Sequence, residues 1–277
     1  MLKFVIKKVL YFIVRFYNTI EWFARVIIKT DLRNHIPKIK NEKLISILAN
    51  GPSLKEELES INFECGDFCV VNDFYKSPYW KIIKPQYCVL ADPNYFKSPE
   101  RIYSIINNVE WNMKLFIPYS ALKLENFPWA EKNGFVEYIP YHYESYDGFE
   151  FLRFYIYKKG LSMPLLYNVL QPSIFNAINM GYKEIRLYGV DHSWTENIRV
   201  NEENQVCLVD RHFYDVSHCE MKPWKKTDGF NWKMYEILRD LSKSFFSYNQ
   251  VKEYADKKGC RIVNYTHNSY IDAFDRA

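Results

Sequence analysis

Leu44-Ile45-Ser46-Ile47-Leu48-Ala49 is an apolar run with the length of one buried strand, and it halts at Asn50-Gly51-Pro52-Ser53 before the charged, helix-favouring Leu54-Lys55-Glu56. A strand, a tight turn and a helix opening in that order form the place where an open α/β sheet binds anions. Gly51 lets a ligand approach the backbone, Ser53 is placed to cap the helix, and the free N–H groups of a first helical turn attract negative charge. The same turn also serves as a plain connection, so it counts as a site only in company.

Company comes from the next two strands. Phe68-Cys69-Val70-Val71 stops at Asn72-Asp73, and Tyr87-Cys88-Val89-Leu90 stops at Ala91-Asp92-Pro93-Asn94. Open α/β sheets bind ligands at the carboxyl ends of their strands, so Asn50, Asn72 and Asn94 are expected to share one crevice. Asn donates and accepts hydrogen bonds and suits base and ribose edges, although each one singly is an ordinary turn residue.

Farther on, Ser98 to Asn107 reads as helix and Lys114 to Pro118 as strand. Leu165 to Met180 is helical, with Pro172 either kinking it or marking its first turn. Lys183 to Asp191 is the clearest strand of the second half and runs into His192-Ser193-Trp194. A long helix follows Gly229 as far as about Lys258, and Arg261 to Asn264 is the last strand. This alternation, without repeats, predicts an α/β fold: a Rossmann-like, mostly parallel sheet with helices on both faces, occupying residues 44–277 as one domain. Two stretches interrupt it, the Tyr-rich 138–163 and the polar 195–228. Both are expected as lid segments, with a helix of the domain body as the alternative for the first.

The 277 residues are 48% hydrophobic, ample for a core. Net charge is +4, yet residues 1–29 alone carry six basic groups and one acid, so the remainder is near neutral, which argues against a nucleic-acid binder. The six cysteines form no Cys-x-x-Cys pair and no metal-ligand spacing, as expected of reduced thiols in a cytoplasmic protein.

Residues 1–30 lack Gly and Pro. Charges break them so often that no uncharged run reaches the ~20 residues a bilayer requires. At ~100° per residue, Lys3, Lys7, Lys8, Arg15, Asn18, Thr19, Glu21, Arg25 and Lys29 fall in one sector of roughly 160°. That pattern predicts a helix in a membrane surface, its basic face on anionic headgroups and Phe12, Ile13, Phe16, Ile20, Phe23 and Ile27 in the acyl boundary. The alternative is a helix packed on its own domain or on a second subunit, as in a homo-oligomer. Residues 31–43, polar and holding Pro37, read as a linker.

The Asn-Gly-Pro-Ser-Leu-Lys turn, Asn72-Asp73-Phe74-Tyr75, Pro93-Asn94-Tyr95-Phe96, Gly181-Tyr182-Lys183-Glu184-Ile185 through Gly189-Val190-Asp191, and Arg211-His212 together resemble the bacterial sialyltransferases of glycosyltransferase family 42. The likeness runs in order over roughly residues 43–267. Gly-Val-Asp-His-Ser-Trp, His212-Phe213-Tyr214-Asp215 and Asn268 to Phe274 resemble, more closely, a broad group of uncharacterised proteins associated with surface-polysaccharide genes. Those are themselves likened to the archaeal pterin diphosphokinase and the flagellin-modifying Maf proteins.

The sialyltransferase resemblance implies inverting transfer of a sugar (sialic acid, a related nonulosonate or Kdo) from a CMP donor to a glycan or lipid-linked acceptor, with no metal and no further cofactor. It places CMP on Asn50, Gly51, Pro52, Ser53, Asn72 and Asn94, with Asn168 and Ser193 beside the nucleotide. It makes His212 the general base, with Asp210 or Asp215 to orient it. An imidazole suits that task at neutral pH, and a phosphate leaving group needs no strong acid. The family has a tyrosine just after the Gly-x-Asp strand where this chain has Ser193 and Trp194, so Arg199, Arg211 and Tyr214 become the candidate phosphate donors. His192, directly after Asp191, is the rival base. His218 and Cys219 alone make a poor metal site, and His35, His142 and His267 read as structural or solvated. The expected location is the cytoplasmic face of the inner membrane. An ATP- and Mg²⁺-dependent pterin-diphosphokinase-like enzyme and a non-catalytic scaffold for polysaccharide assembly are the alternatives.

Overall fold

The computed structural model describes residues 2–39, 44–97, 99–124, 133–209, 212–214, 221–226 and 228–277. Its strands are β1 (Leu44–Leu48), β2 (Asp67–Val71), β3 (Tyr87–Val89), β4 (Met113–Pro118), β5 (Val136–Tyr141), β6 (Glu184–Tyr188), β7 (Ile198–Val200), β8 (Val206–Leu208), β9 (Lys222–Pro223), β10 (Arg261–Asn264) and β11 (Asp275–Arg276). Its helices are α1 (Leu2–Lys29), α2 (Leu54–Glu57), α3 (Tyr79–Ile83), α4 (Asn94–Lys97), α5 (Pro99–Ile106), α6 (Glu150–Lys158), α7 (Leu170–Met180) and α8 (Met234–Lys257).

Eight of the strands make one parallel sheet in the order β11-β10-β6-β1-β2-β3-β4-β5. From β1 the chain steps outward to β5, then crosses back to lay β6 on the other side of β1. The strand order therefore reverses between β1 and β6, where a crevice opens at the carboxyl ends.

The two-residue period of a strand sorts the apolar side chains to opposite faces. Ile45, Ile47, Cys69, Val71, Tyr87 and Val89 pack toward Ile174 and Phe175 of α7 and Tyr248 and Tyr254 of α8. Leu48, Phe68, Val70, Cys88, Leu115 and Ile117 pack toward Leu54, Leu58, Trp80 and Ile102. Helices cover both faces, as the alternation predicts. Every residue of α7 is buried, Pro172 sits in its first turn, and Gly181 at φ 113° ends it, so the proline marks a start and not a kink.

Four sequence expectations change. Within 138–163 the chain forms the end of β5, fully registered against β4, and then α6, so most of this stretch belongs to the domain body. Residues 31–39 are no loose linker: Ile36 is buried in the core, and Ile39 N–H bonds to Met180 O at 3.1 Å. The segment 195–228 carries a small antiparallel sheet, β7-β8-β9, and part of it lies outside the described residues.

The fourth change concerns α1. From Arg15 onward its polar stripe is turned to the protein: Arg15 Nη1 and Asn18 donate to Asp147 O, Thr19 meets Tyr146 Oη at 3.2 Å, and Arg25 and Lys29 pair with Glu144 at 3.4 and 3.1 Å. Trp22 and Val26 on the same side enter the core. A Cβ at Gly148 would lie 2.2 Å from Thr19 Oγ1, so only glycine lets the 144–149 loop come this close. Phe12, Ile13, Phe16, Ile20 and Phe23 on the outer side are each more than half exposed. No described helix is long and apolar enough to cross a membrane.

Candidate active-site cleft

A cleft of about 940 Å³ lies at the carboxyl ends of β1, β2, β3 and β6, within the size range of small-molecule sites. Asn50, Gly51, Pro52, Asn72, Asn168, Asp191, His192, Ser193 and His212 all line it. Asn94 does not. It opens α4 with its N–H on Asp92 Oδ1 at 2.9 Å, and it is exposed; Asp92 and Pro93 of the same loop take the place expected for it.

The turn after β1 differs from a helix-terminus anion site. α2 has only four residues, and Ser53 is itself helical with no side-chain capping bond. Ser53 N–H and Oγ–H both go to Asp191, at 3.2 and 2.8 Å, while Leu54 N–H and Gly51 N–H go to Gly51 O and Gly189 O. A protein carboxylate already holds the donors that a phosphate would need. Asp191 is thus the brace of the turn, and Ser53 is absent from the cleft lining. Glu57 supports the same corner, accepting Gly189 N–H at 2.7 Å and His267 N–H at 3.2 Å. Burial raises the pKa of both carboxyls, against which their hydrogen bonds act.

Asn50 and Asn72 keep ligand-binding capacity. Asn50 Nδ2 donates to Val71 O at 3.1 Å, which fixes the amide and leaves Oδ1 buried without a partner. Asn72 Oδ1 is likewise buried and unpartnered, and Asn72 adopts φ 48°, a left-handed conformation that Asn tolerates better than most residues. Both oxygens lie beneath the cleft surface at adjacent strand ends, so a ligand donor reaches them when the amides turn outward.

His212 reaches the cleft because Phe213 N–H bonds to Asn50 O at 3.1 Å and the Phe213 ring packs on Phe74 at 5.4 Å. Tyr214 does not line the cleft. Its ring lies parallel to His212 at 5.2 Å. Arg199 bonds to Ile198 O and is exposed away from the cleft lining, while Arg211, Asp210, Asp215, His218 and Cys219 lie outside the described residues. The cleft's own lysine is Lys97, on α4.

His192 is held at φ 54° against Trp194, 4.3 Å away, and Nε2 lies 2.6 Å from Tyr248 Oη. Burial pushes its pKa down to about 3, so it is neutral at pH 7 and ill matched to act as a titrating base there. Asn168 accepts Leu170 N–H and Tyr248 Oη–H on Oδ1 and donates to Ser244 Oγ, so its amide is spent on the helix start. Sequence reasoning missed Tyr248, one of 23 tyrosines in the chain, which carries no local signal of its role.

His142 and His35 are structural. His142 is buried with Nε2 on Arg33 O, and His35 pairs with Asp31 at 2.8 Å. The C-terminal motif laces the β6 corner from behind: Thr266 Oγ1 accepts Val190 N–H, Ser269 Oγ donates to Val190 O, and Tyr270 N–H donates to Asp191 O. Among the described residues no group of three or more His, Cys, Asp or Glu is placed to hold a metal.

Comparison of the chain with protein-family models, with curated proteins and with solved structures returned no match.

Proposed function

We propose that this chain is a membrane-associated inverting glycosyltransferase that moves a sugar from a CMP donor to a hydroxyl of a glycan or lipid-linked acceptor. The reading is supported by one observation above the rest: Asn50, Asn72 and His212, chosen from separate motifs, share one cleft at the switch point of the sheet. The Asn50 and Asn72 carboxamides, whose Oδ1 atoms are unpaired, suit the amine of cytosine and the ribose hydroxyls once turned to the ligand. His212 takes the acceptor's proton as the acceptor oxygen bonds to the anomeric carbon; the bond from that carbon to the phosphate oxygen breaks, and CMP leaves with the electron pair. Lys97 and Ser193 are the cleft groups suited to steady the departing charge, since the Ser53 N–H is already committed to Asp191.

With the Arg15 to Lys29 part of its polar stripe bound to the domain and its apolar side outward, α1 lies in this reading along the cytoplasmic membrane surface. Lys3, Lys7 and Lys8, all exposed, meet anionic headgroups, which brings the cleft to a lipid-linked acceptor.

A thermal-shift series of CMP, CDP, UDP and ATP, each with and without Mg²⁺, tests the proposal. Stabilisation by CMP without metal is expected. A response confined to ATP with Mg²⁺ indicates a diphosphokinase-like enzyme, and no response to any of them indicates a scaffold.

A further inference from the structure

We infer that Tyr248 is a positioning residue: it fixes His192 as the tautomer protonated on Nε2, so that Nδ1 carries the lone pair that the imidazole offers to the cleft. The inference rests on the cleft being the ligand site, as proposed above, and not on which nucleotide binds.

The direction of each hydrogen bond follows from a backbone amide. Leu170 N–H donates to Asn168 Oδ1 at 2.9 Å, and the other amide atom, Nδ2, donates to Ser244 Oγ at 3.2 Å. The Asn168 carboxamide can sit in only that orientation, because a flip would set its NH₂ against an N–H. Tyr248 Oη lies 3.0 Å from the same Oδ1, an atom that only accepts, so the single phenolic proton is spent there. Toward His192 Nε2, 2.6 Å away, the Tyr248 oxygen then has only a lone pair to offer. Nε2 must therefore carry the hydrogen. Burial keeps the ring neutral, so Nδ1 is bare.

The consequence is a statement about substrate chemistry. A bare imidazole nitrogen in the cleft that Asn50 and Asn72 also line adds an acceptor to its wall. It selects a ligand group bearing hydroxyl or amine hydrogens and repels a phosphate, which must lie toward Lys97 instead.

Long-range ¹H–¹⁵N correlation spectra of the ¹⁵N-labelled full chain at pH 7, with His192 identified by its absence in His192→Asn, read the tautomer directly. The expected pattern is a protonated Nε2 and a pyridine-like Nδ1. In Tyr248→Phe, and in Asn168→Ala where the phenol is free to turn and donate to Nε2, the Nδ1–H form should appear. The Asn168→Ala arm stands if Tyr248→Phe does not fold. An Nδ1–H tautomer or an imidazolium in the wild type, or an unchanged His192 spectrum in a folded variant, overturns the inference. No nucleotide enters the measurement, so a failure to bind CMP would count against the transferase reading alone.

Discussion

Asp191 stands directly over Gly51: a Cβ built on Gly51 would lie 1.8 Å from Asp191 Oδ2 and 2.5 Å from Gly189 O. The β1 and β6 corners touch backbone to backbone, and the carboxylate that binds Ser53 closes the joint. Gly51→Ala should cost about 3 kcal/mol, since neither the braced carboxylate nor the β6 carbonyl can retreat. Urea denaturation measures this, and wild-type stability in the variant would show that the corner is slack.

His192 ties stability to pH. Its folded-state pKa, about 3, lies below an unfolded value near 6.5, so the native form binds fewer protons. Its contribution is complete above pH 6.5 and falls by up to about 1.4 kcal/mol per pH unit as the solution is acidified toward pH 3. His192→Asn, which suits the left-handed backbone, should be less steeply destabilised between pH 6.5 and 4.5. Parallel stability curves for the two proteins would refute a buried neutral ring.

Glu144 is the latch of α1, bound to Arg25 and Lys29 from a side chain only 9% exposed. Both partners are substantially solvated, so Glu144→Gln should cost no more than about 1 kcal/mol in global stability. Its larger effect should be local, a several-fold faster tryptic cut after Arg25 or Lys29. Equal cleavage rates would mean that Trp22 and Val26 hold the helix unaided.

The outward side of α1 should carry membrane binding. Because Trp22 and Val26 are core residues, deleting the helix would confuse loss of binding with loss of fold. Phe16→Glu with Ile20→Glu changes exposed positions only. Flotation with anionic vesicles should recover the wild type and leave the double variant unbound; equal flotation of the two would remove α1 from the membrane account.

The sheet was legible where a strand is buried on both faces, because β1, β2 and β3 then read as mostly apolar runs. β5 was hidden. It is an edge strand whose exposed side chains and Pro140 break the run, and an edge tolerates both. β7, β8 and β9 are too short to show a period. The polar stripe of α1 was legible as a stripe, but hydrophobic patterning alone cannot tell a headgroup from a protein loop, and the partners Glu144 and Asp147 lie more than a hundred residues away. In the cleft, Asn50, Asn72 and His212 could be read from strand-end position and motif. The Asp191 brace and the Tyr248–His192 bond could not, since each joins residues that only the folded sheet brings together.

Titration calorimetry of CMP without metal, on the wild type and on Asn50→Ala, Asn72→Ala and His212→Ala, tests the central claim most directly. Wild type should bind, each Asn variant should bind about tenfold more weakly through loss of one hydrogen bond to a buried acceptor, and His212→Ala should bind as wild type does while failing to transfer sugar. Absence of CMP binding to the wild type, or affinity indifferent to both asparagines, would contradict it.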